Sequence, residues 1–293
     1  MIGKTISHYK ILEKLGEGGM GVVYKAEDTE LKREVAIKFL PRQISASEDE
    51  RKRFKVEAQA AASLNHPNIA TIHSIEEVDD EMFIVMEYID GEELKDKIEK
   101  APIAIQDTLA ISLQIADGLQ AAHDKGVTHR DIKSANIMFT EKGDVKIMDF
   151  GLAKVRGGAK LTLEQSTLGT APYMSPEQAR GEDVDHRTDV FSLGVLLYEM
   201  LTGQLPFKGD YHEAIIYSIL NEEHKAITGL RSGVPMELER IVNKCLQKVP
   251  ADRYQAATDL LVDLRQIEKT ELTKALPEVA FAPQRPESQT VLL

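Results

Sequence analysis

Residues 127–151 carry His129, Arg130, Asp131, Lys133, Asn136, Asp144 and Asp149 in a stretch that otherwise alternates apolar and polar. Val145 and Ile147 against Lys146 and Met148 follow the period of two of a half-buried strand. Asp131 and Asp149 are therefore expected on either side of a short hairpin. Taken singly, Asp131 is a turn residue and Asp149 a strand-end cap. Two carboxylates and an amide gathered at one cleft instead suit metal and proton chemistry.

Upstream, Gly16, Gly18 and Gly21, followed by Val23, form a G-x-G-x-x-G-x-V pattern. Glycines let backbone N–H groups approach a phosphate with no side chain in the way. A glycine hairpin or a Rossmann turn has a similar look, but a Rossmann turn opens directly into a helix, and "VVYKAED" continues as strand. The strand–loop–strand version covers nucleotide phosphates from above. Lys38 lies in the apolar "VAIKFL", where the bland alternative is a snorkelling surface lysine. Glu57 adjoins Ala58 on a helical stripe with Phe54 and Ala61, and a carboxylate near a buried face needs a partner. Lys38 is the natural candidate, and such a pair would aim the ammonium at the α- and β-phosphates.

These groups need a scaffold. Two alternating runs and a polar turn at Asp28–Lys32 give a β-rich opening. Ser47, three residues before Glu50, signals a capping box for a helix carrying Phe54, Ala58, Ala61 and Leu64, with Pro67 as its stop. Strand-like "EMFIVMEYID" leads to a hinge at 87–91. Beyond it, Ile111, Ile115, Leu119 and Ala122 repeat at helical spacing up to Gly126. "DVFSLGVLLYEMLTG" is apolar nearly all round and is expected as a core helix closed by Gly203. From about 270 the prolines and the missing period predict a disordered tail.

Composition bounds the function. At 293 residues, 42% hydrophobic and 29% charged, the chain is an ordinary globular one with room for a sizeable core. A formal net charge of −12 argues against a general nucleic-acid binder, whose affinity rests on Lys and Arg. The single cysteine, Cys245, excludes intrachain disulfides and a cysteine zinc site, and its apolar context suggests a buried helix thiol. No signal peptide opens the chain, and its most apolar run, 190–201, is too short and polar to span a bilayer. The expectation is a cytoplasmic protein in a reducing compartment.

"HRDIKSAN" followed by "DFG" resembles the catalytic-loop and metal-binding signatures of protein kinases. With "GTAPYMSPEQARG", the sequence resembles the eukaryotic-like serine/threonine kinases, bacterial members above all, from about Tyr9 to about Glu268. The resemblance implies an α+β, bilobal fold: a small β-rich lobe at 1–89, a larger helical lobe at 90–268, and the tail at 269–293. It assigns Asp131 to accepting or orienting the hydroxyl proton and Lys133 to neutralising the γ-phosphate. Asn136 and Asp149 would hold magnesium, or manganese in its place. ATP would lie among Leu15, Gly16, Gly18, Gly19, Gly21, Val23, Ala36, Lys38 and Met138. The Glu87 and Ile89 backbones would bond adenine behind the gatekeeper Met86, and Glu93 would face the ribose. His129 and Phe150 are expected to pack only.

The same comparison pairs Glu57 with Lys38 and Glu177 with Arg253, and has Asp189 brace the catalytic loop. Ser175 replaces a commoner alanine and Phe191 a frequent tryptophan; neither departure removes a reacting group. The implied activity is phosphoryl transfer from Mg-ATP to protein serines and threonines, with two copies meeting for autophosphorylation at Thr162, Ser166 or Thr167 beside Arg53, Arg130 and Lys154. The alternatives are a pseudokinase scaffold, against which the complete reacting set counts, and a small-molecule kinase, against which the Ser- and Thr-bearing segment before Glu177 counts.

Overall fold

Burial with a period of two builds the first lobe. The computed structural model describes residues 1–18, 21–41, 48–79, 81–150 and 170–275; Gly19, Ser47, Lys154, Thr162, Ser166, Thr167 and the chain beyond 275 lie outside them. Strands β1 (Thr5–Ile6), β2 (Tyr9–Gly18), β3 (Gly21–Asp28) and β4 (Arg33–Phe39) form an antiparallel meander. Helix α1 (Glu48–Ala62) follows, and then β5 (Ile72–Val78) and β6 (Glu81–Glu87). The sheet order is β1-β2-β3-β4-β6-β5. On one face Val35, Ile37, Phe39, Phe83 and Val85 join Tyr9, Ile11 and Ala26; on the other, Ala36, Ile84 and Met86 pack with Phe54 and Ala58 of α1. Alternation puts Lys38 on the α1 face. The expected turn joins β3 to β4, with Asp28 Oδ1 accepting from Glu30 N at 3.1 Å and Leu31 N at 2.9 Å.

The α1 stripe is buried as expected, but two cores share it. Phe54 and Ala58 sit under the sheet, whereas Ala61, Leu64 and the following Ile69 belong to the large core of the second lobe, with Phe150. The helix also ends at Ala62, ahead of Pro67. Ser63 Oγ donates to Ala60 O at 2.7 Å, and Leu64 leaves the helix to reach the lower core, so the stop is a packing decision rather than the proline's. Ile69 then pairs with Ile147 in an isolated parallel bridge, with Ala70 N to Ile147 O at 3.0 Å and Ile147 N to Asn68 O at 2.8 Å.

Past the hinge come β7 (Gly91–Glu93), α2 (Leu94–Lys100), α3 (Ile105–His123) and the predicted hairpin, β8 (Ile137–Thr140) with β9 (Val145–Ile147). Helices α4 (Pro176–Arg180), α5 (Arg187–Thr202), α6 (His212–Asn221), α7 (Met236–Cys245) and α8 (Ala257–Ala275) complete the second lobe. α5 is the core helix its composition demanded, and it ends on Gly203 at φ +69°. Cys245 is fully buried, and burial pushes its thiol up to about 12. Residues 269–275, expected in the tail, instead continue α8 to Ala275, a helix that carries Leu260, Leu261, Leu264 and Ile267 into the core at helical spacing, and the rest of the expected tail lies outside the described residues.

Candidate active site

Asp189, in the first turn of α5, organises the loop that precedes β8. Its carboxylate accepts the N–H of His129 at 2.8 Å and of Arg130 at 2.7 Å, and His123 Nε2 lies 2.8 Å away. Burial works against its charge, yet His123 and the Arg130 N–H hold the carboxyl below the ordinary range. These bonds hold Arg130 at φ +69°; Asp149 sits at φ +58°. For residues other than glycine that backbone costs about 1–3 kcal/mol and persists only where its surroundings over-determine it.

Asp131 N donates to His129 Nδ1 at 3.1 Å, so Nε2 carries the ring hydrogen and donates to Met148 O at 2.8 Å. Met148 N in turn donates to Asn136 O at 2.8 Å. The ring of His129 also packs against Phe150 at 4.6 Å, as expected, but both its nitrogens join the loop to the Asp149 segment, which the packing expectation missed.

The Asp131 carboxylate is used unequally. Oδ2 accepts from Lys133 Nζ at 2.8 Å and Asn136 Nδ2 at 3.1 Å, while Oδ1 is buried with no hydrogen-bond partner among the described residues. Lys133 Nζ also reaches Thr170 Oγ1 at 2.8 Å. Asn136 Nδ2 further donates to Asp131 O at 2.7 Å, so the amide offers its oxygen to the opposite side. That oxygen and the Asp149 carboxylate are the hard ligands magnesium takes, with phosphates and water completing its shell. Among the described residues no three acidic, histidine or cysteine side chains cluster as a protein-only metal cage. Lys38 Nζ lies 2.6 Å from Asp149 Oδ2. Burial raises the Asp149 pKa, but Lys38 outweighs it and holds the carboxyl below its usual value.

Above this floor, Val23, Ala36, Met86 and Met148 share one apolar cluster, and half-buried Met138 faces Glu93 across β8 and β7. Met148 was missed in the sequence, although its place directly before Asp149 was a signal. The Glu87 side chain is tied to Lys146 at 2.8 Å, and its N–H donates to Thr71 O at 2.8 Å. Its carbonyl is what it can still offer a ligand. Burial, helped by Asp96, raises the Glu93 carboxyl. Leu15 stands 44% exposed, and a Cβ on Gly16 or Gly18 would meet nothing within 4 Å. Gly21 differs: at φ +113° its Cβ would fall 1.8 Å from Phe39 O, so strand pairing demands this glycine.

Arg253 bonds Glu177 through Nη1 and Nη2, each at 2.8 Å, with its guanidinium 4.9 Å from the Phe191 ring centroid. Phe191 stacks on Phe207 at 6.0 Å, so the ring in tryptophan's place still receives the cation. Ser175 is more than a minor departure. Fully buried, it caps α4, with its Oγ 3.3 Å from Gln178 N and 2.5 Å from Thr188 Oγ1. Arg130 Nε is buried without a hydrogen-bond partner among the described residues, and Arg53 is exposed on α1.

Residues 9–263 match the protein kinase domain. The chain belongs to the protein kinase family. This kinase is 39% identical over 293 residues to the serine/threonine-protein kinase PrkC of Bacillus subtilis, covering 94% of this chain and 45% of that protein. It is 41% identical over 266 residues to the serine/threonine-protein kinase PknB of Mycolicibacterium smegmatis, covering 88% and 43%. The crystal structure of the Mycobacterium tuberculosis PknI kinase domain matches the fold with a TM-score of 0.73 at 25% identity, over 91% of this kinase and 98% of that one. The bilobal architecture is thus that of the family, and the chain spans less than half the length of the two curated relatives.

Proposed function

We propose that the chain is a cytoplasmic serine/threonine protein kinase that transfers the γ-phosphoryl group of Mg-ATP to serine and threonine hydroxyls of proteins. The observation that carries this reading is the divided carboxylate of Asp131, one oxygen pinned by Lys133 and Asn136 and the other buried and bare. A buried oxygen without a donor is costly unless a hydroxyl arrives to fill it. Asp131 would accept or orient that hydroxyl's proton, and Lys133 would steady the γ-phosphate. Thr170, on the same ammonium, links this step to the segment that would receive the substrate.

Lys38 would hold the α- and β-phosphates, aimed by Glu57 once nucleotide separates it from Asp149. The Glu87 carbonyl and Ile89 backbone would read adenine between Val23, Ala36 and Met138, with Leu15, Gly16, Gly18 and Gly19 above and Glu93 beside the ribose. When bound to Asn136 and Asp149, magnesium or manganese supplies neutralising charge on the phosphates. Positioning and neutralised charge are what this reaction asks of a protein.

The buried, partnerless Nε of Arg130 supports an anion pocket, completed by Arg53 and Lys154, for a phosphate on Thr162, Ser166 or Thr167, added by a second copy. The same reading divides the chain into lobes at 1–89 and 90–268. No helix among the described residues is long and apolar enough to cross a membrane. Incubation with radiolabelled ATP, magnesium and a generic protein, followed by phosphosite mapping, tests the reading. Label on protein serines and threonines is expected. ATP binding without transfer would favour a scaffold, and label on small molecules alone would move the substrate class.

A further inference from the structure

The peptide joining Arg130 to Asp131 is held at both ends. Its N–H, from Asp131, donates to His129 Nδ1 at 3.1 Å, and its C=O, from Arg130, accepts from Gln178 Nε2 at 2.8 Å. This plane follows a residue at φ +69°, a conformation with little intrinsic preference for staying put. Rotating it would swing the Cα–Cβ bond of Asp131 and carry the bare Oδ1 out of line. Asp189 fixes the preceding N–H groups, so Gln178 is the carbonyl's holder in an otherwise secured loop.

Gln178 is itself held in place. It is the third residue of α4 and closes a reciprocal capping box: its Oε1 accepts from Ser175 N at 3.0 Å, while its N–H donates to Ser175 Oγ at 3.3 Å. The oxygen of one amide caps the helix, and the nitrogen of the same amide holds the loop. α4 is also anchored by Glu177, the neighbouring residue, through Arg253.

We propose that Gln178 is a positioning residue for phosphoryl transfer, setting the orientation of Asp131 through the Arg130 carbonyl and so making that orientation depend on the seating of α4. The inference rests on the kinase reading above. A merely structural Gln178 would serve only the cap, and the two roles separate chemically. Glutamate at this position still caps, because a carboxylate accepts from the N-cap N–H as well as an amide does. It has no hydrogen to give the Arg130 carbonyl.

The test measures protein phosphorylation by the full chain with wild type, Gln178→Glu and Gln178→Ala, along with Tm. Gln178→Glu should lower kcat on the order of tenfold or more while KM for ATP stays at its wild-type value and Tm falls less than in Gln178→Ala, since small misplacements of a reacting group are costly and the cap is kept. Gln178→Ala should lose a similar share of kcat and also lower Tm, having lost the cap. A Gln178→Glu enzyme with wild-type kcat overturns the proposal, as does a loss that comes with an equal fall in Tm or rise in ATP KM. If wild type itself transfers no phosphate, the kinase reading fails instead.

Discussion

Arg253 and Glu177 form a closed pair: two bonds of 2.8 Å, with side chains 0% and 6% exposed. Burial opposes ionisation of Glu177, and Arg253 more than offsets it, leaving the carboxyl below its ordinary range. Arg253→Ala should therefore cost about 3–5 kcal/mol, because it strands a buried carboxylate. Adding Glu177→Gln should recover part of the loss. Denaturant melts of both singles and the double measure it; equal losses in the single and double variants would contradict the pairing argument.

Glu199 has the opposite sign. Burial raises its carboxyl, against the hydrogen bonds from Tyr173 at 2.6 Å and Ser134 at 3.5 Å. A carboxyl raised in the folded state contributes stability below its unfolded pKa and loses it as pH rises through the folded one. Glu199→Gln should thus raise Tm more at pH 7 than at pH 4, as thermal melts across that range will show.

Asp131→Asn removes the acceptor but keeps the shape, and the proposed nucleotide contacts lie elsewhere. A fall of about 10²–10⁴-fold in kcat is expected, with ATP affinity unchanged by calorimetry. Loss of both together would count against the role given to Oδ1.

Lys38→Ala removes the cation 2.6 Å from Asp149, and most activity should go with it. Glu57→Gln should weaken only the aiming of that lysine, cutting kcat while leaving Tm almost unchanged. Steady-state kinetics at saturating ATP and protein substrate decide between them; unchanged turnover in either variant would displace it from the site.

Phosphatase treatment should slow phosphorylation of an external protein and introduce a lag that shortens as the enzyme rephosphorylates itself. Arg130→Ala should be slow in both states. No difference between treated and untreated enzyme would remove the proposed switch.

The strands of the first lobe, the hairpin and α5 were legible because each has a simple period. So was the grouping of Asp131, Lys133 and Asn136, which share one short stretch and meet in the structure. The end of α1 was not, because tertiary packing of Leu64 overrode the local proline signal. Nor were His123 against Asp189 or Gln178 against Arg130, since pairs formed so far apart in sequence leave no periodic trace. Gly21 looked like its neighbours in the glycine motif, and only the nearness of Phe39 O separates a glycine demanded by strand pairing from two facing open space. The helical run to Ala275 was hidden by the prolines that follow it.

Sharing α1 between two cores has a consequence for engineering. A chimera joined at residue 89, the proposed lobe boundary, would bring a donor's counterparts of Ala61, Leu64, Asn68 and Ile69 into a host core shaped around other side chains. Asn68 would miss most, since its side chain reaches Val145 O at 2.9 Å and Gln114 at 3.0 Å on the far side of the joint. The graft that respects the packing keeps the second half of α1 and the chain to Ile69 with the carboxy-terminal partner, and exchanges only the sheet.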